Sequence, residues 1–234
     1  MFYFDPLYFI IISPALLLAF WAQMRIRSAY AEGQQIPAPL SGAAAARHIL
    51  DSAGLQDVPV EMIAGHLSDH YDPRGRVLRL SEEVYQSRSA TAVGIAAHES
   101  GHALQDAQHY APMLLRSAAV PMASVGGTFS FLFLIGGALL SARVPAVGNL
   151  LVLAGVGLFG CVVFFQLVNL PVEFNASSRA KLQLAELGIV RPTEMQYVNR
   201  VLDAAALTYV AATLQAVLTL LYYVYRFTDL GRRG

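Results

Sequence analysis

The chain has 234 residues, and its 16 Lys+Arg balance 16 Asp+Glu, so the formal net charge is zero. Only 14 % of residues are charged and 56 % are hydrophobic, where an average soluble domain is about 25 % charged. These figures exclude a disordered chain and argue against a nucleic-acid binder, which needs a basic field. They point to a mainly α, multi-pass membrane protein. One cysteine, Cys161, excludes an intrachain disulfide and a multi-thiolate metal site. It lies in an apolar stretch and reads as filler.

Four stretches are apolar over about the 20 residues a bilayer crossing requires. The first, 7–24, is interrupted only by Ser13 and Pro14. Met1 to Asp5 carries one acid and no base, unlike a cleavable signal peptide. The second and third, 118–140 and 146–168, are separated only by 141–145, so they are expected to form a hairpin. The fourth, 204–225, is weaker, because it holds Thr208, Thr213, Gln215 and Thr219, although no charge. It reads as a span, with a buried or interfacial helix as the other option. The glycines of the second and third spans (Gly126, Gly127, Gly136, Gly137, Gly155, Gly157, Gly160) read as close helix packing in lipid. The layout is thus a first span (1–24), a polar domain (25–117), a two-span hairpin (118–168), a polar helix (169–203), and a fourth span with a short tail (204–234).

Within the polar domain, 41–53 reads as a helix capped by Ser41 and stopped by Gly54. Segment 58–67 reads as a strand, Asp72-Pro73-Arg74-Gly75 as a turn, and 76–80 as an alternating, half-buried strand, together a β-hairpin. Ser81-Glu82-Glu83 reads as a helix start with a hydroxyl cap and first-turn acids. An alanine-rich helix follows over 89–108. After the third span, 172–187 reads as helical with Gly188 as its stop, and Pro192-Thr193-Glu194 opens another helix.

The hairpin puts 25–117 and 169–203 on one side of the bilayer. That side carries Arg25, Arg27, Arg47, Arg74, Arg76, Arg79, Arg88, Arg116, Arg179, Lys181, Arg191 and Arg200. The other carries Arg143, Arg226, Arg232 and Arg233. The positive-inside rule then places the polar domain in the cytoplasm and the N-terminus outside.

His98-Glu99-Ser100-Gly101-His102 is a His-Glu-x-x-His motif within the alanine-rich helix. Histidines one turn apart project from one face and suit a single Zn²⁺. Glu99, about 100° around the helix from His98, lies toward the metal's open position, where it can take a proton from bound water. The small neighbours Ala96, Ala97, Gly101 and Ala103 leave room for metal and substrate. A catalytic zinc usually has a third protein ligand. Position 105 is Gln and position 108 is Gln, which excludes a metzincin His there. Segment 169–203 offers Glu173, Glu186 and Glu194. Topology makes Glu173 reachable, because the hairpin returns the chain to the membrane face where His102 lies. A first-turn acid favoured by the helix dipole is its plainer reading.

These residues, with Asp69-His70-Tyr71-Asp72-Pro73-Arg74, Leu78-Arg79-Leu80-Ser81-Glu82 and Leu170-Pro171-Val172-Glu173-Phe174, carry a resemblance over nearly the whole chain. The sequence resembles the YugP-like neutral zinc metallopeptidases of bacterial membranes and, more distantly, the HtpX type of membrane gluzincin. The resemblance implies a small α+β gluzincin-like catalytic domain. It also implies one zinc ion held by His98, His102 and Glu173, with Glu99 as general base, in a multi-pass protein of the bacterial inner membrane. Asn175 and Ser177 stand where acids are expected in such relatives. The implied activity is endopeptidase cleavage of a protein or peptide substrate, membrane proteins included. An oxyanion donor besides zinc is expected among His70, Tyr71, Tyr110, Arg179 and Tyr197, and the strand 76–80 is expected to pair with an extended substrate. Asp106, one turn after His102, is a candidate to support a ligand from behind. His48, His66 and His109 read as solvated or capping residues. A silent membrane scaffold that keeps the fold is the competing reading. A transporter is a weaker one, since the spans hold no acid or base.

Overall fold

The computed structural model describes residues 5–230, and side chains up to 227; Arg232, Arg233 and the first four residues lie outside the described residues. In chain order the elements are α1 (Pro6–Gln34), α2 (Gly42–Ser52), β1 (Val60–Ile63), β2 (His70–Asp72), β3 (Val77–Ser81), α3 (Glu82–Gln86), α4 (Ala90–Ala107), α5 (Ala111–Ser141), α6 (Pro145–Glu186) and α7 (Pro192–Leu230). The chain divides into two compact units, 1–20 with 115–170 and 209–234, and 21–114 with 171–208.

The first unit is built from the apolar parts of four helices. Each of α1, α5, α6 and α7 is long and apolar enough to cross a membrane, including the fourth, where the threonines had weakened the signal. The α5–α6 turn is tight, with Arg143 and Val144 both donating to the Leu140 carbonyl. A Cβ on Gly126 would lie 2.8 Å from the Leu158 carbonyl, and one on Gly137 2.8 Å from that of Gly148. These two need to be small for the backbones to approach. Gly136, Gly157 and Gly160 would meet nothing within 4 Å, so the packing reading fails for them. Two hydroxyls of this unit find partners: Ser130 donates to the Gly155 carbonyl at 2.8 Å, and Tyr222 to Asp5 at 2.7 Å.

The second unit carries a three-stranded sheet in the order β1-β3-β2. β2 and β3 pair antiparallel, with Tyr71 opposite Leu78, and Arg74 N–H bonds the Asp72 carboxylate at 2.9 Å to close the turn between them. β1 pairs parallel with β3, with Val60 opposite Leu78. The expected hairpin over 58–67 and 76–80 is therefore corrected. The turn is real, but its first strand is the three-residue, polar β2, too short to show a period of two. The segment 58–67 supplies a parallel partner on the other side. β3 is consequently the middle strand, and Val77, Leu78 and Leu80 are all buried. The half-buried alternation fails for that reason. Arg79 is held by its cross-strand neighbours, Glu61 at 3.2 Å and Asp72 at 3.1 Å.

Ser41 caps α2 as the sequence implies, accepting from Ala44 N–H at 3.3 Å, and Gly54 ends that helix region with φ +77. Ser89 caps α4 in the same way, accepting from Ala92 N–H at 3.2 Å. Ser81 does not cap α3. Its backbone N–H and hydroxyl both donate to Asp69, at 2.8 and 3.0 Å, which ties the start of β2 to the end of β3. Ile49 and Leu50 of α2, Leu78 and Leu80 of β3 and Val93 of α4 share one fully buried core. Each such side chain contributes about 1.5–3 kcal/mol on leaving water. That core is what holds α4 rigid.

The third span and the helix expected from 172 onward are one helix, α6, which continues through Pro171. Proline there costs one ladder hydrogen bond, which a 42-residue helix survives. Likewise α7 runs unbroken from Pro192, and Glu194 in its first turn accepts from Arg191 N–H at 2.8 Å.

Candidate metal centre

One stripe of α4 faces the neighbouring helices of its unit. A Cβ on Gly94 would meet Val198 Cγ1 of α7 at 3.2 Å. One turn on, His98 reaches Glu173 and Ser177 of α6. A Cβ on Gly101 would lie 2.6 Å from the Ala176 carbonyl oxygen and 3.2 Å from Ala176 Cα. Gln105 then bonds the Val172 carbonyl and Asn175. The glycine of the motif is thus a spacing device: only without a side chain does α4 come close enough to α6 for the histidines to meet Glu173.

His98 Nε2 lies 3.2 Å and His102 Nε2 3.6 Å from the same Glu173 Oε2. One donor atom from each of the three residues falls within 4.8 Å of the others. Zinc–ligand bonds of about 2.1 Å in a tetrahedron put ligand atoms roughly 3.4 Å apart, so the two separations straddle the required edge. Two imidazoles and a carboxylate are also a donor set that catalytic zinc takes. His102 and Glu173 are buried, and His98 is partly buried. Each imidazole has its other nitrogen engaged, His98 Nδ1 with Ser177 Oγ at 3.1 Å and His102 Nδ1 with Gln105 Oε1 at 3.0 Å. The residues present therefore fit a zinc ion.

Glu99 points to the other side, toward the sheet, where Tyr71 N–H of β2 donates to its Oε2 at 3.1 Å. Burial pushes its carboxyl up to about 7, with the His98 charge opposing and the Glu173 charge adding to the rise. A carboxylate poised near neutral pH is suited to taking and returning a proton. Tyr71 also donates its hydroxyl to Asp106 at 2.8 Å, and burial and that carboxylate push its phenol up. Asp106 thus supports Tyr71, while the partner of His102 is Gln105.

Among the other candidates, His70 is exposed and its Nδ1 lies 2.8 Å from the Ser68 carbonyl. Arg179 donates to Asn175 and to Gln108, both at 2.6 Å, with its guanidinium 5.8 Å from the Tyr110 ring centre. Tyr197 lies under Arg200. His48, His66 and His109 are exposed, with His66 beside Glu83 at 3.0 Å. Sequence reasoning missed Gln105, noting it only as the absence of a histidine. Its position three residues after His102, on one face of a helix, was the available signal.

Gly101→Ala provides a check on this spacing. Its Cβ would strike backbone, which cannot rotate away, so α4 and α6 must part. The expected result is a loss of about 1–3 kcal/mol in stability and weakened zinc binding, read by thermal melting and metal titration. Native zinc affinity in Gly101→Ala would show that the close approach does not matter to the site.

The chain is 47 % identical over 217 residues to the "Putative membrane protease YugP" of Bacillus subtilis (strain 168), covering 92 % of this chain and 94 % of that relative. No solved structure matches it. Residues 8–228 match the family described as "Putative neutral zinc metallopeptidase", and with both the match and the His98–His102–Glu173 cluster in view, the chain belongs to that family.

Proposed function

We propose that this protein is a membrane-embedded zinc endopeptidase in which His98, His102 and Glu173 hold one zinc ion and Glu99 is the general base. The observation that carries the reading is the convergence of two Nε2 atoms on one Glu173 oxygen, with Glu99 next to His98 on α4. Zinc bound by these residues would polarise the scissile carbonyl and acidify a water molecule. Glu99 would accept the proton of that water at its carboxylate and return it to the leaving amine nitrogen. The gluzincin-like catalytic domain of this reading is the second unit, with its sheet against α4.

The middle position of β3 rules out the expected role for strand 76–80, because both its edges are taken. β2 is an outer strand, and the Tyr71 N–H points from it to Glu99 rather than to β3. An extended protein or peptide substrate would therefore lie along β2. The four apolar helices favour substrates that are themselves in or at the bilayer. A silent scaffold would have no need of Glu99, and no observation favours that reading.

The test is to compare membrane proteomes of cells carrying the native protein and Glu99→Gln. Uncleaved substrates should accumulate, and specific new N-termini should disappear, in the variant. Identical proteomes would count against an endopeptidase. Orientation in the bacterial inner membrane has its own check. In a Cys161→Ala background, cysteines at positions 88 and 191 should react only with reagents that reach the cytoplasm, and one at 143 from outside. Labelling of 88 and 191 from opposite sides would defeat the shared compartment that the site requires.

A further inference from the structure

Gln105 is fully buried, and three hydrogen bonds use its amide. The geometry points to Gln105 as a positioning residue that fixes which nitrogen of His102 carries the proton, and so directs the Nε2 lone pair at the metal. This inference rests on the zinc reading above.

The logic follows from which groups are able only to donate or only to accept. The Val172 carbonyl oxygen only accepts, so the Gln105 atom 2.8 Å from it must be the amide nitrogen. The same nitrogen lies 3.0 Å from the Asn175 side chain. The Arg179 guanidinium only donates, and its Nε reaches that same Asn175 atom at 2.6 Å, so the atom is oxygen, as a partner of the Gln105 NH₂ must be. Both constraints give the Gln105 amide one orientation. Its remaining atom, the carbonyl oxygen, then faces His102 Nδ1 at 3.0 Å. An amide oxygen cannot donate, so Nδ1 must be the protonated nitrogen. In the neutral ring that a metal requires, His102 Nε2 is then the nitrogen without a proton, on the side where Glu173 Oε2 stands at 3.6 Å.

His98 is placed differently. Its Nδ1 partner, Ser177 Oγ at 3.1 Å, is a hydroxyl, which is able both to donate and to accept. Ser177 orients the His98 ring without choosing its tautomer. The rigid choice is made at His102, by a chain anchored in the α6 backbone at Val172 and braced through Asn175 by Arg179. The usual device behind a zinc-bound histidine is a carboxylate or backbone carbonyl. Here an uncharged amide does the same, and it does so without placing a further negative charge beside Glu173.

The experiment uses full-length, metal-free protein labelled with ¹⁵N at histidine, with native, Gln105→Met and Gln105→Glu forms titrated with zinc alone. The native His102 signal should show the Nδ1–H tautomer. Gln105→Met, of similar length and without the acceptor, should lose that preference and bind zinc about 10–100-fold more weakly. Gln105→Glu keeps an acceptor toward His102 Nδ1 but sets its second oxygen against the Val172 carbonyl and Asn175 Oδ1, so it should keep the Nδ1–H tautomer while losing stability. An Nε2–H tautomer in the native protein overturns the inference even if Gln105→Met fails to fold. Equal zinc affinity and an unchanged tautomer in a folded Gln105→Met also overturn it, and leave the zinc site standing. Native protein that binds no zinc would sink the proposed function, while the tautomer measurement would still decide the role of Gln105.

Discussion

Glu99→Gln should retain about one zinc ion per chain and lose about 10²–10⁴-fold in peptide hydrolysis, the factor a positioned acid–base group supplies. The two halves of this result come from different atoms. The ligand atoms belong to His98, His102 and Glu173, and Glu99 supplies none of them. A glutamine has the same length and still offers an oxygen to the Tyr71 N–H now 3.1 Å from Glu99 Oε2, so the contact between β2 and α4 persists. What is lost is the capacity to accept a proton at that oxygen. Metal analysis and a peptidase assay on the same preparation separate binding from chemistry. Turnover within a few-fold of native would remove Glu99 from the mechanism.

The parts of this molecule that were legible in the sequence are those written in local chemistry. Four apolar runs, the Ser41 cap and the His98–His102 spacing each depend on residues within a few positions of one another. β2 was hidden because three residues, only Tyr71 of them buried, are too few to show a period. The parallel pairing of β1 was hidden because pairing depends on a partner 18 residues away, Val60 with Leu78. Ser81 misled for a related reason: its cap signal is local, while Asp69, the group that takes its hydroxyl, comes from another segment. The helix expected over 172–187 is instead the end of α6, which runs through Pro171 from the third span. Gln105 was visible but mute, since its meaning lies in the Val172 carbonyl, 67 positions further along the chain.

Glu173→Ala should abolish tight zinc binding and activity together, and this sets it apart from Glu99→Gln. Removing Glu173 takes away the one oxygen on which both Nε2 atoms converge, at 3.2 and 3.6 Å. Two neutral imidazoles alone would bind zinc without a charge-balancing ligand, so the expected loss of affinity is at least about 100-fold, more than an outer-shell change produces. The fold should survive, because the buried apolar α6 residues of the second unit, Val172, Ala176, Ala180 and Leu184, all remain. Glu173 itself is buried, so its removal also takes away a charge that faces His98 and His102. Circular dichroism should therefore be native-like for Glu173→Ala while isothermal titration with zinc shows the loss. Glu173→His, which restores a neutral third donor, should recover part of the affinity, because the position and not the charge alone defines the third corner. Full zinc affinity in Glu173→Ala would instead place the third ligand elsewhere, and of the alternatives in 169–203, Glu194 is already bound to Arg191 at 2.7 Å. That outcome would leave Glu186 or a water as the remaining options and would break the link between the α5–α6 hairpin and the site.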